Sequence, residues 1–217
     1  MKKKIIAVLL MLGILIGLTA CGGGGDVSDG DANPDTSGEP GDSSEPVKDS
    51  VIIANAAEPD CFFPAHTTLT TNMDEVPILH NVYETPVKLM PDGSKEPLLA
   101  ETWEISEDGT AYTLNLRQDV TFHDGNPMTA EDVAFSLDTA ASTASGKTLL
   151  INYDYSEVVD EHTVIVHLTA PYGPFMNSLA SRYALVFEKA LFDEIGEDGY
   201  NDAPIGTGPY KFIERVA

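Results

Sequence analysis

The most regular alternation of apolar and polar positions lies in "LLAETWEISEDGTAYTLNLRQDVTF", residues 98–122. Trp103 and Ile105 alternate with Glu104 and Ser106. Beyond Asp108-Gly109, Tyr112, Leu114 and Leu116 alternate with Thr113 and Asn115. A period of two on both sides of an Asp-Gly pair predicts a β-hairpin. "YSEVVDEHTVIVHLTAP", residues 155–171, predicts a second one turning at Asp160-Glu161-His162, with Val164, Val166 and Leu168 on one face and Ile165 and His167 on the other. Helical spacing replaces alternation elsewhere. Val76, Leu79, Val82 and Tyr83 predict a helix over about 74–84, with Asp74 and Glu75 suited to its first turn. "TAEDVAFSLDTAAS", residues 129–142, sets Val133, Ala134 and Leu137 on one face. Thr129 stands at its N-cap, and Asp132 follows three residues later.

Shorter patterns complete the outline. "VIIAN" (51–55) reads as a buried strand and "AEPDCFFPAHTTLTTN" (57–72) as a loop. "MPDGS" (90–94) is a turn, "PYGPFMNSLAS" (171–181) a short helix after a proline turn, "YALVF" (183–187) a strand and "EKALFDEIGED" (188–198) a helix. "NDAPIGTGPYKFIERV" (201–216) is a Gly/Pro turn running into a strand. Helices mixed with antiparallel hairpins indicate an α/β or α+β class. No internal repeat is visible, and residues 51–217 suffice for one domain.

The first fifty residues have another character. Met1-Lys2-Lys3-Lys4 precedes an unbroken apolar or glycine run from Ile5 to Gly17. That run is shorter than the roughly 20 residues a membrane-spanning helix needs and suits a secretion signal. Leu18-Thr19-Ala20-Cys21 then places small residues before a cysteine, as bacterial lipoprotein signals do. Residues 1–20 are therefore expected to be a lipoprotein signal peptide, with lipid carried on Cys21. Two or more acyl chains there would make a firm anchor. Gly22 to Ser50 holds seven Gly, three Pro, five Ser and eight acidic residues, with Val27 and Val47 its large aliphatics. Such a segment cannot bury enough apolar surface to offset its ordering entropy, so 21–50 reads as the lipidated cysteine and a flexible acidic linker.

Charge narrows the function. The formal net charge is −23, and removing residues 1–20 takes away three lysines and no acid, deepening it by three. Beyond residue 20 no Lys/Arg cluster is present to neutralise phosphates, which argues against nucleic acid as a partner. With Cys21 lipidated, Cys61 has no partner for an internal disulfide and reads as a packed small residue. No CxxC, H-E-x-x-H or G-x-S-x-G pattern occurs, so no zinc site of those types and no nucleophile elbow is marked. His123-Asp124 could be half of a catalytic pair. The Asp124-Gly125 turn that launches the next helix favours a structural histidine, packed or hydrogen-bonded at the turn. His66, His80, His162 and His167 are scattered; His162 and His167, five apart, fall on opposite faces of a continuous strand.

"LAETWEISEDGTAYTLNLRQDVTFHDGNPMTAEDVAFSL", "NDAPIGTGPYKF" and "NVYETPVKLMPDG" resemble the hallmarks of extracellular solute-binding proteins of family 5. These are the peptide- and nickel-binding components of ATP-binding-cassette importers. The resemblance covers residues 51–217. It implies an α/β, periplasmic-binding-protein-like fold of the two-lobed class II type, with 51–217 as the N-terminal part, truncated before the second large lobe. It implies a receptor and not an enzyme, with no cofactor. Peptides are the expected cargo, ABC permease subunits the partners, and the outer face of the bacterial cell membrane the location. Nickel, haem or another small solute remains an alternative cargo. A non-functional remnant and a metal-dependent hydrolase are the competing readings. By analogy with the family, Asn55, Ala56, Glu58 and Asp60 are expected near the ligand, with Tyr183 and Ala184 at the start of the later strand. Glu58 or Asp60 could pair with a peptide's ammonium group. Gly206, Thr207, Gly208 and Pro209 are expected to form a hinge or crossover, the glycines permitting the backbone turn.

Overall fold

Alternation is what builds the sheet. In a computed structural model of the chain, residues 52, 54, 59, 61–66 and 76–216 are described. β3 (Ala100–Ile105) pairs antiparallel with β4 (Ala111–Leu116), and β5 (Tyr153–Asp160) with β6 (Thr163–Leu168). β4 also pairs with β6, so the two expected hairpins join into one antiparallel sheet of order β3-β4-β6-β5. Tyr112, Leu114 and Leu116 meet Val164, Val166 and Leu168 on the buried face, while Ile165 and His167 lie on the other. Trp103 is half-buried, and Ile105, at the end of edge strand β3, is exposed. β5 forms the opposite edge, and its pairing slips between Tyr153 and Tyr155 and again between Val158 and Asp160. A smaller hairpin, β1 (Val87–Leu89) with β2 (Lys95–Pro97), turns through 90–94, where Gly93 takes φ +87°.

Around the sheet lie α1 (Val76–Val82), α2 (Ala130–Ser142), α3 (Ala144–Leu149), α4 (Phe175–Ser178) and α5 (Lys189–Asp202). The expected face of α2 is the buried one: Val133, Ala134, Leu137 and Ala140 enter the core, and the helix lies along β5 and β6. At its other side a second group of side chains gathers. Phe63, Phe135, Phe187, Phe192 and Tyr200 have ring centroids 4.9–6.2 Å apart, mostly tilted or edge-to-face. Such pairs each add about 0.5–1.5 kcal/mol beyond their area burial. Cys61 is buried, its sulfur accepting from the Phe63 amide at 3.3 Å, as a packed residue would. Among the described residues no helix is long and apolar enough to cross a membrane.

Three expectations are corrected. "YALVF" is not a strand: Arg182–Ala184 is a 3-10 turn, and Leu185–Phe187 runs extended without a ladder. The run is buried as its apolarity requires, but its amides go elsewhere: Val186 N–H donates to the Glu84 carbonyl at 2.9 Å and Phe187 N–H to the Ser136 hydroxyl at 3.0 Å. Residues 210–216 likewise form no strand. The Gly208 and Tyr210 amides donate to the Val82 and Asn81 carbonyls, which α1 leaves unpaired at its C-terminus. The helix expected over 188–198 is longer and broken, because Gly196 stands at φ +67°, ψ −173° inside α5. The segment 51–55, most of the loop 57–72, and Asp74 and Glu75 fall partly or wholly outside the described residues.

Asp132 starts two helices at once. Its Oδ2 accepts the Thr129 amide and hydroxyl, both at 2.8 Å, closing the first turn of α2. Its Oδ1 accepts the Lys189 amide at 2.9 Å, satisfying a donor at the first turn of α5. Asp132→Ala strands these donors and is expected to cost at least about 2 kcal/mol, read as a lowered urea midpoint with unchanged slope.

Candidate functional site

The segments singled out by sequence converge on the turn 122–126. Phe122 packs into the core, and Gly125 takes φ +102°, so the chain reverses through "FHDGN" before α2. This leaves His123 facing residues 206–208. His123 N–H donates to the Gly206 carbonyl at 2.9 Å, its Nε2 lies 2.8 Å from the Gly208 carbonyl, and the Gly206 amide points at Nδ1 at 3.4 Å. A carbonyl at one ring nitrogen and an N–H at the other select the neutral Nε2–H tautomer. Lys211 adds a bond from Nζ to the His123 carbonyl at 2.6 Å. The histidine is a backbone clasp, as the turn suggested.

Gly206 and Gly208 are glycines for a different reason from the one expected. Neither has positive φ. A Cβ on Gly206 would stand 2.2 Å from the Val82 carbonyl oxygen and 2.7 Å from a ring carbon of Tyr83. One on Gly208 would stand 2.5 Å from the Asn81 carbonyl oxygen. Close approach to the end of α1, not turn geometry, demands them. Between them the Thr207 hydroxyl is buried without a partner, and Pro209 is exposed.

Tyr183 and Ala184 are buried, 4% and 0% exposed. Next to them is a residue the sequence reading passed over. The Arg182 guanidinium lies 4.9 Å from the centre of the Tyr183 ring and donates from Nη2 to the Tyr183 hydroxyl at 2.8 Å. Its Nη1 is buried and has no partner. A rare arginine beside the expected ligand-proximal pair was the available signal. Asn55, Ala56, Glu58, Asp60 and Cys21 lie outside the described residues. Of the remaining histidines, His66 pairs with Glu197 at 3.2 Å and His167 with Glu157 at 2.9 Å while stacked on Tyr155, whereas His162 Nδ1 is buried without a partner. Among the described residues no three His, Cys, Asp or Glu side chains gather as metal ligands.

With this geometry in view, the comparisons with known proteins place the chain. Residues 95–217 match the family described as bacterial extracellular solute-binding proteins, family 5 (middle), and the chain belongs to that family. It is 33% identical over 190 residues to the dipeptide-binding protein of Escherichia coli K12, covering 75% of this chain and 35% of that protein. It is 36% identical over 120 residues to the glutathione-binding protein GsiB of Pectobacterium atrosepticum, covering 54% of this chain and 23% of that one. Among solved structures it is similar to NikZ of Campylobacter jejuni in complex with Ni(L-His), with a TM-score of 0.64, 28% identity, and 74% and 32% of the two chains covered. It is also similar to DppA of Helicobacter pylori in complex with the peptide STSA, with a TM-score of 0.64, 29% identity, and 74% and 36% covered. The fold is thus α/β, of the periplasmic-binding-protein kind, and the chain spans about a third or less of the length of these relatives.

Gly206→Ala is expected to lower stability by about 1–3 kcal/mol, read from the thermal midpoint. Gly173→Ala, where an added Cβ meets nothing within 4 Å, should leave it nearly unchanged.

Proposed function

We propose that the chain serves as the solute-capturing part of an ATP-binding-cassette import receptor, with peptides as its cargo. Binding, not chemical conversion, is the activity, and the permease is the partner that receives the solute. The observation that carries this reading is the uncommitted Nη1 of Arg182 beside Tyr183. A buried guanidinium N–H without an acceptor is costly alone and favours a ligand carboxylate, the group every peptide with a free C-terminus supplies. Support for peptides over other carboxylates comes from the relatives whose names and bound molecules are dipeptide, glutathione and STSA. Asn55, Ala56, Glu58 and Asp60 are proposed to meet the same ligand, with Glu58 or Asp60 toward its ammonium end, and Gly206–Pro209 to act as the crossover.

The protein is purified natively from its own gene and the retained solute released by acid for mass spectrometry. Peptides are the expected finding; a nickel chelate or a sugar would overturn the choice of cargo. In the same series Arg182→Ala should weaken binding of the recovered peptide about tenfold or more, by titration calorimetry, while barely altering binding of its C-terminal amide.

The lipid anchor is proposed from the segment before Cys21. Labelled palmitate fed to expressing cells should enter the protein and be lost on Cys21→Ser. Incorporation unaffected by that substitution would place the lipid elsewhere.

A further inference from the structure

A buried acid lies beside the "FHDGN" turn. Glu188, directly before α5, is 5% exposed, and its Oε2 is buried with no hydrogen-bond partner. Its backbone is held from both sides by Tyr200, whose hydroxyl accepts the Glu188 amide and donates to the Glu188 carbonyl, each at 3.0 Å. Its Oε1 accepts from the Asn126 side-chain amide at 2.8 Å, and the same amide donates to Asp124 Oδ2 at 2.9 Å. One amide therefore draws two carboxyl groups together.

Two ionised carboxylates in this arrangement would repel, and neither could satisfy the other. One proton resolves both problems. We propose that Glu188 is a protonated acid hydrogen-bonded to the Asp124 carboxylate, a one-proton clamp that holds the "FHDGN" turn to the start of α5. Asp124 and Asn126 are exposed, so solvent takes up the remaining negative charge at the rim. The other charged or titratable groups facing the pair do not supply a counter-cation. Asp132 on α2 is a further carboxylate, and Tyr200 is a phenol. Lys189 directs its ammonium to Asp193 at 2.6 Å and lies 3.8 Å from Glu131. His123 turns its ring away to Gly206 and Gly208. A depression of about 260 Å³ is lined in part by Glu188, Asp132 and Lys189. Burial pushes the Glu188 carboxyl up from its ordinary range, the Asn126 bond draws it down, and Asp124 and Asp132 push it up again.

The sign follows from linkage. A carboxyl whose folded value is raised binds its proton more tightly in the folded chain. Its contribution is full below the ordinary glutamate range and is lost as pH rises through the raised folded value. The clamp is therefore an acid-side device: the turn is held most firmly when protons are plentiful. Because Asp124 adjoins His123, loosening the clamp also loosens the hold on Gly206–Gly208.

The full chain and Glu188→Gln, which mimics the protonated form, are melted from pH 4.5 to pH 8. Glu188→Gln should be the more stable at pH 8, by about 2–4 °C, with the gap closing toward pH 4.5. Carbon-13 NMR of the Glu188 carboxyl, followed over the same range, should show protonation persisting above the ordinary glutamate range. Parallel melting profiles, or a Glu188 carboxyl already ionised at pH 4.5, would overturn the proposal.

Discussion

A neutral imidazole packed against backbone that tolerates no side chain fixes the geometry of this chain. His123 reaches the Gly206 and Gly208 carbonyls because those residues lie flat against the end of α1, where a methyl group has no room. The contact joins positions more than eighty apart in sequence. It ties the turn before α2 to the segment after α5, while the same segment's amides cap α1. Three stretches that could each fray are thereby held by one junction, built from the His123 ring, the Lys211 ammonium and the polar backbone of residues 206–210.

Much of the framework was legible because local chemistry and tertiary packing agree there. The period-two pattern around Asp108-Gly109 and around Asp160–His162 named both hairpins, since one face of each strand is buried and the other is not. Thr129 and Asp132 marked the start of α2 correctly, because a capping box depends on four consecutive residues. "YALVF" misled for the opposite reason. A run buried on all sides has no period, and only its distant partners, Glu84 and Ser136, decide whether its amides join a ladder. The Gly196 break was equally hidden, because a glycine within a helical pattern does not announce its φ.

The site divides along the same line. His123 as a structural group could be inferred from the Asp-Gly turn beside it. The reason for Gly206 and Gly208 could not, because steric contact with α1 is a fact of three dimensions. Arg182 and Glu188 were missed because an unpaired atom is visible only once every neighbour is placed: the sequence shows an arginine before a tyrosine and a glutamate before a lysine. Membership of the solute-binding family came from ordered motifs spread over the chain and not from any single reactive group.

The outer margin of the sheet has a consequence of its own. β5 ends the order β3-β4-β6-β5 with Tyr155, Val158 and Val159 open to solvent, which by composition could recruit a strand from a neighbouring molecule. Its two slips in register bend the backbone, and Asp154, Glu157 and Asp160 punctuate it with charge. An uneven, acidic margin is a poor template for self-pairing with a neighbouring strand.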